Sequence, residues 1–122
     1  MLASRSSTNF TPDDLIVNSD DVIMRKITVL AGQNLVRGAV LGKVSASGKY
    51  VLSAAAAGDG SQAPDCILVD ATDATGGDKE AIGIFKASVL ESKLTLGAGH
   101  TLDSIREGLR VKSIHLLKSI AN

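Results

Sequence analysis

Between Val29 and Leu52 the chain reads VLAGQNLVRGAVLGKVSASGKYVL. Two runs of aliphatic, partly β-branched residues are joined by a small-residue turn, Ser45-Ala46-Ser47-Gly48. Such runs fit a pleated, half-buried surface, and the short polar turn between them predicts a hairpin: Val40 to Val44, then Tyr50 to Leu52, turning at Ser47-Gly48. Gly32, Gly38 and Gly42 interrupt the apolar positions. They do not form G-x-G-x-x-G and do not lead into a helix, so a phosphate cradle fails on context. They are expected to be bends in a compact β subunit.

The rest of the chain must supply a core for this unit without large side chains. Of 122 residues, 44% are hydrophobic, but the aromatics are only Phe10, Tyr50 and Phe85. The length fits one domain, which at this size buries roughly two-thirds of its unfolded surface. A core of Val, Ile, Leu and Ala has few large anchors, so such a subunit is expected to gain stability by association. The 13 basic and 13 acidic residues cancel. That balance argues against a nucleic-acid partner, which demands a basic face, and leaves little repulsion between copies. No apolar run approaches the ~18 residues of a membrane span, and MLASRSSTNF lacks a signal-like apolar stretch. The chain is expected to fold in a cytoplasm.

Residues 1–20 are rich in Ser, Thr, Asn and Asp and are expected to form a flexible N-terminal arm, with residues 21–122 as a single β-rich domain. Phe10, Thr11, Pro12, Leu15, Ile16 and Val17 are the arm's candidate contact residues, and an apolar trio in an extended arm suits strand addition to another sheet edge. Val22 to Leu30 predicts a strand with Ile23, Ile27 and Val29 on one face, which Arg25 interrupts, and Lys26 and Thr28 on the other. Ser53 to Pro64 predicts a loop, Cys66 to Asp70 a short buried strand, Asp70 to Lys79 a polar turn, and Glu80 to Val89 another strand. Leu94 to Leu96 suggests a short strand. Thr101 to Leu109 predicts the one helix, capped by Thr101, with Asp103 in the first turn and Leu102, Ile105 and Leu109 on one face. Val111 to Leu117 returns to strand.

The chemistry-bearing residues form no familiar constellation. His100 and His115 lack a second His or Cys at ligand spacing, so neither is expected to bind metal. They are expected in a turn before the helix and at a sheet surface. Asp70, Asp73 and Asp78 cluster near Gly76-Gly77, but DATDATGGDKE lacks the oxygen spacing and closing Glu of a calcium loop. Asp13-Asp14 and Asp20-Asp21 are adjacent pairs in the arm and fix no acid–base geometry. Cys66, the single cysteine, is expected to be a buried small hydrophobe. The serines show no G-x-S-x-G elbow and are expected to have no paired histidine. No catalytic residue, cofactor or metal is predicted, which disfavours an enzyme.

The pattern Gly32-x-x-Leu35-x-Arg37-Gly38-x-Val40-Leu41-Gly42, then Gly48-Lys49-Tyr50, resembles the head decoration proteins of tailed bacteriophages, the family of the lambda capsid-stabilising protein. Asp59-Gly60-Ser61 to Pro64 with Ile67-Leu68, the strand Ala81 to Ala87, and the Leu102–Leu109 segment followed by Val111 to Leu117 continue the resemblance, over roughly residues 27–117. It implies a mainly β, β-clip-like small barrel or sandwich with one short C-terminal helix. It further implies a homotrimer on the outer capsid surface of the virion, bound to the major capsid protein and stabilising the expanded head against internal DNA pressure. In that family the N-terminal segment orders against the shell, in keeping with residues 1–20 as an arm. A β-barrel carrier or ligand-binding module is the alternative and would need a concave pocket with convergent polar groups.

Overall fold

The structure, a computed structural model, describes residues 16–118. Its strands are β1 (Ile16–Val29), β2 (Asn34–Leu35), β3 (Val40–Lys43), β4 (Tyr50–Leu52), β5 (Pro64–Leu68), β6 (Thr72–Asp73), β7 (Lys79–Leu90) and β8 (Ile114–Leu117). Among the described residues the single α-helix, α1, is Leu102–Val111, preceded by a 3-10 turn at Glu91–Lys93.

Five strands close into a small barrel in the order β1-β4-β3-β5-β7, with β7 pairing back onto β1. The expected hairpin is its centre: β3 and β4 pair antiparallel with Leu41 opposite Leu52 and Lys43 opposite Tyr50. Its turn is closed by Val44 N–H donating to the Lys49 carbonyl and Gly48 N–H to the Val44 carbonyl, both at 2.8 Å. The long β1–β7 ribbon runs antiparallel from Ile16 opposite Val89 to Val29 opposite Lys79. β8 adds in parallel to the end of β7, with Ala87 opposite Ile114. Parallel neighbours need a crossover, and α1 supplies it.

Alternation along the strands sorts the aliphatics into two cores. Leu41, Cys66 and Leu68 fill the barrel interior together with Ile27, Val29 and Tyr50. Val40, Ile67 and Ile84 belong to the other cluster, with Ile105, Leu109 and Ile114. β3 and β5 are therefore buried on both faces, inward by the barrel and outward by the helix layer.

Helix α1 forms as its sequence requires. The Thr101 hydroxyl accepts from Ser104 N–H at 3.1 Å, and the Ser104 hydroxyl accepts from Thr101 N–H at 2.9 Å, a reciprocal capping box. The helix outlasts Gly108 and takes in Val111, 82% exposed, which the sequence reading put in a strand. Ser113, at φ 73°, then turns the chain into β8. Other boundaries shift for similarly local reasons. Leu94 to Leu96 makes only a single bridge, Thr95 with Ala39. The polar segment 70–79 gives up Thr72-Asp73 to pair with Asn34-Leu35. Ile23, expected on one face with Ile27, is 43% exposed while Ile27 is buried, because the register with β7 shifts between Ile23 and Met24.

Two glycines of the opening stretch have different tasks. Gly38 has φ +88°, a left-handed conformation that favours glycine. Gly42 has no such φ, but a Cβ there would run into the Ser61 carbonyl oxygen, so it is a close approach and not a bend.

Candidate interaction surfaces

Of the residues expected to contact a partner, Phe10, Thr11, Pro12 and Leu15 lie outside the described residues. Ile16 opens β1 opposite Val89 and packs, partly buried, against the helix-side core. Val17 follows it in the same strand. Residues 16–20, read from sequence as the end of the arm, are thus part of the β1 strand.

The polar candidates serve the fold. Asp73 accepts from Thr75 N–H at 3.0 Å and from its hydroxyl at 2.7 Å, and these bonds hold its carboxyl below its ordinary value. Asp78 is likewise lowered, first by Lys49 and then by Ala31 N–H, which donates to it at 2.8 Å. Among the described residues no group of three or more His, Cys, Asp or Glu could hold a metal ion. Cys66 is fully buried, and burial pushes its thiol up, away from the reactive thiolate.

One pairing overturns the expectation that no serine meets a histidine. Ser53 Oγ lies 3.0 Å from His100 Nε2. The residues are 47 apart in the chain, and no local pattern announces the contact. Ser53 is fully buried, and its hydroxyl donates to the Ser61 carbonyl at 2.7 Å. Its oxygen is left to accept from His100, which makes the ring nitrogen a donor. A base that activates a nucleophile needs the opposite polarity, so this bond ties the loop before α1 to the hairpin's exit.

Two surface features were not picked out from the sequence. The first is an apolar strip on the β1–β7 ribbon: Ile23, Met24 and Ile82 are 43%, 44% and 39% exposed. The second is a groove of about 340 Å³ lined by Arg25, Lys26, Thr28, Lys43, Tyr50 and Phe85 among others. Arg25, on the face of Ile27, reaches over the Phe85 ring, 5.4 Å from its centroid. Phe85 meets Tyr50 edge to face at 6.3 Å. Tyr50 donates its hydroxyl to Asp65 at 3.0 Å, and Lys112 bonds the other Asp65 oxygen at 2.7 Å. Burial first, and that bond second, push the Tyr50 hydroxyl up, so it stays a neutral donor. Lys26 sits 3.8 Å from Glu80, while Arg25 and Lys43 form no ion pair among the described residues.

Comparison with known proteins adds an independent finding. The family model of bacteriophage lambda head decoration protein D matches residues 6–113. A search of curated proteins found no match. The family match opens well before β1 and takes in most of the segment read as the arm.

Proposed function

The chain belongs to the bacteriophage lambda head decoration protein D family, and on that premise we propose that it binds the expanded head as a homotrimer and stabilises it against the pressure of packaged DNA. The family is one of structural proteins of the phage head, and its partner is the capsid. The reading adds three specifics: association of three copies, contact of the N-terminal arm, through Phe10, Thr11, Pro12, Leu15, Ile16 and Val17, with the major capsid protein, and assembly in the host cytoplasm before residence on the outer virion surface. The observation that carries it is the extent of the family match, which includes the N-terminal segment as well as the barrel.

The physical case is one of many modest contacts. An arm can supply only a small interface, but linking weak contacts raises avidity by roughly 10²–10⁴ without new chemistry. The apolar strip at Ile23, Met24 and Ile82 gives a subunit with an aliphatic core further surface to bury on association. The alternative of a ligand-binding barrel is not favoured, because Leu41, Cys66 and Leu68, all at 0% exposure, fill the barrel interior.

The test is to mix the full chain with expanded, undecorated capsids and to follow binding and thermal disruption of the shells. A chain lacking residues 1–15 is the second arm of the experiment, cut there because β1 begins at Ile16. Binding with a raised disruption temperature, lost on truncation, is the expected result. Absence of binding by the full chain rejects the decoration reading; unchanged binding after truncation rejects the role of the arm. Solution mass checks the trimer.

A further inference from the structure

β4 meets β1 only at Val29, opposite Tyr50. Upstream of Thr28 the two strands diverge, and that edge of β1 pairs with no strand among the described residues. The groove described above sits in the wedge so formed, with Lys43 and Gly48 of the hairpin on its far side and Tyr50 and Phe85 among its lining. Two cations, Arg25 and Lys43, face it from two elements, and neither has an acidic partner among the described residues; Lys26, on the opposite face of β1, pairs with Glu80.

We propose that this groove is a docking site for an extended acidic segment of the major capsid protein, which makes this end of the barrel the shell-facing one. The inference rests on the decoration reading and deepens it by naming a contact other than the arm. An exposed strand edge offers main-chain hydrogen bonds to an added strand, and the pockets beside it select side chains. Here those side chains are carboxylates. Arg25 offers a planar, forked donor set held over Phe85, and Lys43 offers a point charge at the opposite rim. The ring edges of Tyr50 and Phe85 accept an apolar side chain carried between the acids. The chain's zero net charge gives no long-range preference for an acidic surface, so recognition is local to this concentration of cations.

The test compares binding of full-length chains to expanded, undecorated capsids across a salt series. The wild type, the double variant Arg25→Glu with Lys43→Glu, the milder Lys43→Gln, and the control Arg37→Glu are measured side by side, with circular dichroism melting to show that each is folded. Placing like charges at a contact costs heavily, so the double variant is expected to bind at least about 10-fold more weakly. Lys43→Gln is expected to bind more weakly with a shallower salt dependence, and the exposed Arg37→Glu as wild type. Carbodiimide treatment of decorated shells is expected to join Lys43 to an acidic peptide of the major capsid protein. A folded Lys43→Gln and double variant that bind as wild type overturn the groove alone. A wild type that binds no shells overturns the decoration reading and the groove together. A double variant whose loss is of its own oligomeric state assigns the groove to a neighbouring copy and also overturns the proposal.

Discussion

The barrel has a covered wall and a bare one, and the same residue types face outward on both. Ile84 and Ile82 stand two residues apart on β7, on the same face by strand alternation. Ile84 is fully buried and shares a cluster with Ile105 and Leu109 of α1; Ile82 is 39% exposed. Across the ribbon, Met24 pairs with Ile84 and is itself 44% exposed. What separates these positions is the reach of a ten-residue helix, not anything in the strands themselves. An outward aliphatic is buried where the chain brings back an element to lie on it, and elsewhere it stays exposed.

The largest effect is expected on the covered wall. Ile67 is fully buried within the helix-side cluster, so Ile67→Ala removes apolar contact and leaves a cavity beneath α1. Loss of a buried Ile of this kind costs about 2–5 kcal/mol, read as a lower urea midpoint with an unchanged slope. A change below about 1 kcal/mol would mean that the layer collapses freely onto the gap, and the distinction between the two walls would weaken.

The next effect concerns how the cover is held. Thr101→Ala removes one half of the capping box and is expected to cost about 1 kcal/mol. The loss should be confined to the helix layer, seen as faster amide exchange in α1 and β8 with little change in β3 and β4. Arg106, which bonds Glu91 at 2.7 Å, still ties the helix to the turn after β7 in that variant. Equal acceleration throughout would show that barrel and cover unfold as one unit.

What could be read from the sequence divides along similar lines. The hairpin, the capped helix and the long strand around Phe85 rest on local signals: alternation, turn residues, and a Thr followed by a Leu102, Ile105, Leu109 face. Features set by distant approach were not legible. Ser53 meets His100 across 47 residues, and Gly42 is glycine because the Ser61 backbone lies against it. Ile23 was misplaced because the register shift beside it depends on the pairing of β1 with β7, which no period of two can report. The groove depends on where β1 and β4 part, and the sequence records only its separate residues. The family was legible through the order of its weak motifs, none of which names a contact.

A smaller effect is expected with pH. Asp78 accepts from Ala31 N–H and pairs with Lys49, tying the turn after β1 to the hairpin. Lys49, then Ala31 N–H, lower its carboxyl below the ordinary range. A folded-state value below the unfolded one means that this contribution is present above the unfolded value and is lost as pH falls through the folded one. The urea midpoint is therefore expected to hold near neutrality and to fall below about pH 4. In Asp78→Asn the fall should be shallower. It should not vanish, because Asp59 and Asp73 are lowered by the same kind of hydrogen bond, from Ser61 and from Thr75. An acid limb identical to wild type would remove Asp78 from that account.

The smallest change in stability belongs to the bare wall, and it is the most direct probe of what that wall is for. Met24→Gln with Ile82→Thr replaces two exposed aliphatics by polar residues of similar reach. Surface changes of this kind usually shift stability by less than about 0.5 kcal/mol, and here the isolated subunit should melt almost as wild type. If the strip is buried when copies associate or when the chain sits on a shell, the same variant should lower solution mass at micromolar concentration or weaken shell binding. The two walls then differ in when they are covered: one during folding, by α1, the other during assembly. A variant that melts, associates and binds shells as wild type would leave the bare wall as ordinary solvent-facing surface. A variant that melts markedly lower would show that the strip already packs within the subunit, and the contrast between Ile82 and Ile84 would have to be redrawn.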